Sequence, residues 1–158
     1  MAKQKKSKTP ENNIARNKSA KFDFFIEETI EVGIVLEGWE VKSLRDKKLQ
    51  INESYVFVKN NELFLSGAHI TPLTSASTHV TPHPARVRKL LAHRHEIDRI
   101  SGQVDRKGFT LIALAMYWSH GKAKVSVGLA KGKKQHDKRA DQKSKDWSRD
   151  KARMLRAK

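Results

Sequence analysis

Over residues 22–36 the apolar positions Ile30, Val32, Ile34 and Leu36 alternate with Glu31, Gly33 and Val35. A period of two marks a strand with one buried face. Gly33 within it predicts a bulge or sharp bend of the kind a closed sheet uses at its corners. Residues 38–46 fit a short helix that turns Val41, Leu44 and Trp39 inward. Residues 54–58 and 62–66 flank Lys59, Asn60 and Asn61 and predict a hairpin. Residues 71–84, rich in Ser and Thr and interrupted by three prolines, predict a loop. Pro84 then opens a helix, the position proline tolerates best. Val87, Leu90, Leu91, Arg94, Ile97 and Ile100 follow at helical spacing, Gly102 ends or breaks the run, and Arg86, Arg88 and Lys89 form a basic outer face. Residues 109–118 are apolar on both faces, as in a central strand, and Ser119, His120 and Gly121 turn the chain. Ala123, Val125, Val127 and Leu129 then alternate with Lys122, Lys124, Ser126 and Gly128, which aims two lysines outward. Five or six short antiparallel strands with two or three helices predict a mainly β, α+β fold, a small OB-like β-barrel.

Charge changes this picture at the ends. The chain has 158 residues, enough for one domain, and a formal net charge of +16. Residues 1–21 carry a net of +6 and residues 131–158 a net of +8, which leaves only +2 for residues 22–130. The ends also lack the apolar residues that would offset the entropy of ordering them. The chain therefore divides into a basic flexible N-terminus (1–12), a compact body (13–130) and a basic tail (131–158) that is disordered when free. Two arms of one sign point to a polyanion, nucleic acid before an anionic membrane. No cysteine is present, which excludes disulfides, iron–sulfur clusters, thiolate zinc sites and a cysteine nucleophile. The apolar run from Leu111 is too short to span a membrane, and the Lys-rich start leads into Thr-Pro-Glu-Asn-Asn rather than an apolar stretch. These features predict a soluble, cytoplasmic, basic protein.

Candidate chemistry is sparse. His79 and His83 are four residues apart, but Pro82 and Pro84 forbid a shared helical face; His93 and His95 point in different directions on a helix. His136 beside Asp137 could be a general base with its orienting carboxylate, yet it lies in the tail without a rigid scaffold. No metal, no cofactor and no catalytic residue are expected. The basic stretch 131–139 places five Lys and Arg residues and His136 within nine positions, a pattern suited to phosphate contacts. Beyond it Ala140, Ser144, Trp147, Lys151 and Met154, with Leu155 adjoining, form a narrow apolar stripe if residues 137–157 are helical. Such a helix would form against a partner groove, or dock on its own body. Trp147 could stack on a base or seat in a pocket. Asn17 could bond a base edge or phosphate, or cap a turn. Glu31, unusual on a cationic surface, could accept from a guanine or cytosine amine, orient an arginine, or be an ordinary strand exterior.

Several strings together resemble the SsrA-binding protein family, small protein B (SmpB). They are Ile14-Ala15-Arg16-Asn17-Lys18, Gly38-Trp39-Glu40-Val41-Lys42-Ser43-Leu44-Arg45, Ala68-His69-Ile70-Thr71-Pro72, Arg88-Lys89-Leu90-Leu91 and the stretch from Lys131 to Arg139. The resemblance implies a non-enzymatic adaptor, a monomer bound one-to-one to the tRNA-like domain of transfer-messenger RNA. The body would stand where an anticodon arm stands, and the tail would enter the empty mRNA channel of a stalled ribosome as a helix. It implies RNA contacts at Asn17, Lys18, Glu31, Arg45, Leu91 and Lys124. In the tail it implies ribosome contacts at Lys131, Lys133, Lys134, Gln135, His136, Asp137, Lys138 and Arg139, with Trp147, Met154 and Leu155 on the apolar stripe. His136 would stack on decoding-centre RNA. Phe24 stands where the family commonly has tyrosine, so a hydroxyl is missing there.

Overall fold

The computed structural model describes residues 12–73 and 81–156. Most of the N-terminal arm and part of the Ser/Thr-rich loop, His79 included, lie outside the described residues. The elements in chain order are β1 (Asn13–Arg16), α1 (Ala20–Asp23), β2 (Phe24–Ile34), α2 (Gly38–Arg45), β3 (Leu49–Gln50), β4 (Tyr55–Lys59), β5 (Glu62–Ser66), β6 (His69–Ile70), β7 (Arg88–Leu91), α3 (Arg94–Lys107), β8 (Thr110–Ser119), β9 (Lys122–Gly132) and α4 (Gln135–Arg156). Strands pair in the order β1-β8-β4-β5-β7-β2-β9, and β9 returns to β8, so six strands close into an antiparallel ring with β1 laid along β8. A two-stranded ladder, β3 with β6, stands apart. The fold class expected from the sequence is the one found: α+β, built on a closed, mostly antiparallel sheet with flanking helices.

Alternation sets what fills the ring. Ala123, Val125, Val127 and Leu129 of β9 are buried, as are Val32, Leu63, Leu65, Leu90 and Met116. Ile30, Ile34 and Leu36 are half-buried and pack on the same core. The hairpin turn is shorter than expected: β4 extends through Lys59, and Asn60 and Asn61 both take positive φ, 51° and 58°. Two left-handed residues match the right-handed twist of the flanking strands, and asparagine tolerates that conformation. The irregularity in β2 falls between Ile26 and Glu28 and not at Gly33, which pairs normally with Lys124 on one side and Leu91 on the other. Glycine suits position 33 because a Cβ there would stand 3.3 Å from the Leu91 Cβ.

The helix expected from Pro84 is instead a strand followed by a helix. Arg88 and Leu90 point inward and Lys89 and Leu91 outward, the period of β7. Four residues are too few for periodicity alone to separate the two possibilities. α3 begins only after His93, the N-cap of a capping box closed by Glu96. It buries Ile97 and Ile100, runs through Gly102, and ends at Gly108 in the left-handed conformation, φ 67°. Because His93 is extended rather than helical, its ring stacks on that of His95, centroids 5.5 Å apart, and the two do not diverge as expected.

α2 buries Trp39 and Leu44 as expected, with Val41 half-buried, and it also buries Glu40 and Ser43. Glu40 caps its own helix by accepting from the Glu37 backbone N–H at 2.8 Å. Its carboxylate also accepts from Arg86 Nη2 and Arg88 Nε. Neither Glu40 nor Arg88 has any exposed side-chain surface, so Arg88 is not part of a basic outer face. Arg88 spends its other donors on the carbonyls of Ala68 (3.1 Å), Arg86 (3.0 Å) and Pro84 (3.0 Å). Trp39 Nε1 donates to Glu37 Oε2 at 2.6 Å. Burial pushes the Glu40 carboxyl up, but the Glu37 N–H and the two guanidinium groups outweigh it and hold it below the ordinary carboxylate range.

Removing one partner leaves the other charge buried and unpaired. Glu40→Ala is expected to cost about 3–5 kcal/mol in urea unfolding, while Glu40→Leu with Arg88→Met recovers much of that loss. Equal damage from the single and double variants would show that the pair's polar contacts, and not an orphaned charge, carry the effect.

Candidate nucleic-acid interface

The outer side of the ring between β1 and β7 is assembled by register. Arg16 pairs with Ala115, Ala115 with Ser126, and Ser126 with Glu31, one row across four strands. In the next row Tyr117 pairs with Lys124, Lys124 with Gly33, and Gly33 with Leu91. Residues in one row share a face, so Glu31, Lys124 and Leu91, which lie far apart in sequence, meet on one surface. They line a recess of about 710 Å³ with Trp118, Lys122 and His93. A second recess of about 440 Å³ is lined by Arg16, Asn17, Lys18, Lys21 and Ser126. Ser126 is the register partner of Glu31, so the two recesses adjoin across β9. Arg45 is exposed on the last turn of α2 and does not line either recess.

The chemistry of this face is cationic with one carboxylate. Among the described residues Arg16, Lys18, Lys122 and Lys124 make no ion pair. Their charge is available to a polyanion. Glu31 is exposed and accepts a hydrogen bond from the Tyr117 hydroxyl. Burial, with the Glu31 carboxylate beside it, pushes the Tyr117 hydroxyl far above its ordinary pKa, so it remains a donor. The sequence reading missed Tyr117, because the apolar run around it hid which of its residues look outward.

Asn17 is mostly engaged within the protein. Its side-chain amide donates to the Ala113 carbonyl at 3.1 Å, its Oδ1 accepts from Ser19 Oγ at 3.0 Å, and its backbone N–H donates to Leu114 at 2.7 Å. It fastens the end of β1 to β8, and so presents Lys18 on the surface beside it. Phe24 is half-buried against Ala20, Ile112 and Ala130.

The C-terminal cations fall into two groups. β9 ends at Gly132, so Lys131 is a strand residue, its Nζ 4.7 Å from the Phe109 ring centroid. Lys133 donates to the Lys21 carbonyl at 2.7 Å and pairs with Asp141, and Lys138 pairs with Asp23 at 3.2 Å. These contacts fasten the root of α4 to α1. Lys134, Gln135, His136 and Arg139 are exposed there, and His136 Nε2 lies 3.3 Å from Asp137 Oδ1. Beyond the root α4 buries nothing: Trp147, Met154 and Leu155 are 65%, 71% and 68% exposed, and Lys151 Nζ lies 5.1 Å from the Trp147 ring centroid. The apolar stripe does not dock on the body. Among the described residues no three His, Cys, Asp or Glu side chains could share a metal ion, and no helix is long and apolar enough to cross a membrane.

A family model described as SmpB protein matches residues 14–157. The SsrA-binding protein of Alkalilimnicola ehrlichii is 56% identical over 154 residues, 98% of this chain and 96% of that protein. That of Ruthia magnifica is 60% identical over 152 residues, 96% of this chain and 92% of the relative. A solved chain described as "tmRNA-SmpB: a journey to the center of the bacterial ribosome" superposes with a TM-score of 0.63 at 43% identity, covering 77% of this chain and 85% of that one.

Asn17→Ala is expected to lower stability by about 1 kcal/mol, read as a shift of the urea midpoint at unchanged slope. An unchanged midpoint would mean that the bonds to Ala113 and Ser19 are replaced by water without loss.

Proposed function

Because the chain belongs to the SmpB family of SsrA-binding proteins, we propose that it binds transfer-messenger RNA and brings it to stalled ribosomes for rescue by trans-translation, as an RNA-binding adaptor acting in the cytoplasm. The observation that carries this reading is the separation of two basic surfaces. One is the recessed face of β1, β8, β9 and β2 around Glu31, Lys122 and Lys124. The other is the exposed helix α4 with its apolar stripe.

The two surfaces suit two different RNA targets. The recessed face is rigid, because its cations project from a closed sheet, and it can match the fixed shape of the folded tRNA-like domain. Phosphate contacts from Arg16, Lys18, Lys122 and Lys124 supply affinity with steep salt dependence, and the Glu31 carboxylate contributes discrimination among base edges. Leu91 adds an apolar contact on this face, and Arg45 offers a separate exposed cation at the end of α2. α4 offers charge on most sides and Trp147, Met154 and Leu155 in one stripe, which fits a narrow RNA-walled channel. In this reading His136, Asp137, Lys138 and Arg139 enter the decoding centre and the body fills the place of an anticodon arm. Lys133 and Lys138 exchange their partners on the body for ribosomal phosphates as the tail enters.

Truncation after Lys134, which spares β9, is expected to leave selective binding of a labelled tRNA-like domain within about threefold of the full chain, since α4 buries nothing. Rescue of stalled ribosomes is expected to be abolished. A truncated chain unable to bind that RNA would overturn the division of labour between body and tail. Trp147→Ala is expected to leave thermal unfolding unchanged and to reduce rescue more than Lys143→Ala, because one aromatic contact exceeds one screened charge. Equal small effects of the two substitutions would mean that the stripe does not seat.

A further inference from the structure

Tyr117 and Glu31 stand on different strands with β9 between them: Tyr117 is opposite Lys124, and Glu31 is opposite Ser126. Their hydrogen bond therefore spans the middle strand of the cationic face. Glu31 itself is exposed, and an exposed glutamate left alone would sample many rotamers and lose that freedom when a ligand fixes it. Here one carboxylate oxygen, Oε2, is held by the phenol, and among the described residues the other accepts no hydrogen bond; Glu31 lines the recess with Lys122, Lys124 and Leu91. No arginine or lysine bridges this carboxylate among the described residues.

A pinned, uncompensated carboxylate amid phosphate-seeking cations repels phosphate and accepts from N–H and O–H donors. On RNA the donors that carry sequence are base-edge ring N–H and amine groups: N1–H and the exocyclic amine of guanine, the exocyclic amines of cytosine and adenine, and N3–H of uracil; the ribose 2′-hydroxyl donates at every nucleotide and so discriminates among none. We infer that Tyr117 is a positioning residue for RNA selection, fixing Glu31 as the acceptor for one base-edge N–H donor on the folded RNA. The inference rests on the RNA-binding reading of this face. Tyr117 acts through Glu31 and needs no RNA contact of its own. The phenol also suits this task better than an arginine would, because it orients the carboxylate without cancelling the charge that turns phosphate away.

The test uses the full chain, the Tyr117→Phe, Glu31→Gln and doubly substituted variants, a labelled tRNA-like domain, and an unrelated hairpin of equal length. Phenylalanine keeps the ring and removes only the donor. Tyr117→Phe is expected to weaken binding of the tRNA-like domain about tenfold, the loss typical of one hydrogen bond to a charged group. Affinity for the hairpin, the slope of affinity against salt, and the thermal midpoint should stay unchanged. The double variant should bind no more weakly than Glu31→Gln alone, because Tyr117 has nothing left to orient. Substituting inosine for guanosine in the RNA removes the exocyclic amine, and a loss of sensitivity to Tyr117→Phe at one position would identify guanine as the donor. Loss at no guanosine, with sensitivity kept, assigns the donor to guanine N1–H or to another base, and loss of sensitivity on 2′-deoxy substitution would assign it to a ribose hydroxyl and overturn the base-edge assignment. Wild-type binding by Tyr117→Phe, equal loss toward both RNAs, or additive effects of the two substitutions would overturn the inference. Failure of the unsubstituted chain to prefer the tRNA-like domain would overturn the RNA-binding reading itself.

Discussion

The ring depends on a buried ion pair. β7 is the strand through which β5 reaches β2, yet it contacts β2 through only two register pairs, Gly33 with Leu91 and Ile34 with Leu90. So short a ladder is weak by itself. Arg88, in the first position of β7, compensates by reaching inward to Glu40 and to three carbonyls from the segments before β6 and before β7. One guanidinium thus gathers α2, the turn at Ala68 and the entry to β7 at a single point. Taking two charges out of water is expensive, and the pair is tolerable only because almost every donor and acceptor has a partner. That requirement fixes the geometry closely. The recess holding Glu31, Leu91 and Lys124 lies on the other side of the same strands, so its shape is set from within.

The charge of the protein is arranged, and not simply abundant. Where cations serve the fold they have partners: Arg88 with Glu40, Arg99 with Glu28 at 2.7 Å, Lys89 with Glu62 at 3.0 Å. Arg16, Lys18, Lys122 and Lys124, which make no ion pair among the described residues, line the two adjoining recesses, one of which holds the carboxylate bonded by Tyr117. Binding strength and discrimination therefore come from different groups on one surface. Cations attract any phosphate chain, and under the inference drawn above the anchored glutamate penalises RNA that offers no donor there.

Much of this was readable in the sequence, because alternation marks β2 and β9, strands of eleven residues each, and the unbroken apolar run of β8 marks a central strand. The Asn60-Asn61 hairpin was readable for a local reason, the tolerance of asparagine for positive φ. Four-residue β7 was not, since Arg88 to Leu91 fits helical spacing as well as strand spacing. Reading Arg88 as exposed followed from that error and from the general rule that arginine lies outside; only its pairing with Glu40, 48 positions earlier, reverses the rule. The site divides in the same way. Glu31, Leu91 and Lys124 came from a family resemblance, and register then brought them into one recess. Tyr117 was invisible because its role is a contact across 86 residues of sequence, and no local pattern encodes such a partner.

β9 closes the ring against β8 and leads into α4 with only Lys133 and Lys134 between them. Lys133 is itself held to the body through its backbone N–H, 2.9 Å from the Asp23 carbonyl, and through its ammonium on Lys21. A 22-residue helix is about 33 Å long, so a rotation of about 20° at that joint swings its far end by about 11 Å. The arrangement is a lever with a short, stiff fulcrum set in the ring wall. Small adjustments at Asp23 and Lys133 become large displacements of Trp147 and Met154. In the reverse direction, a tail seated at its tip delivers torque to the strand that carries Lys124.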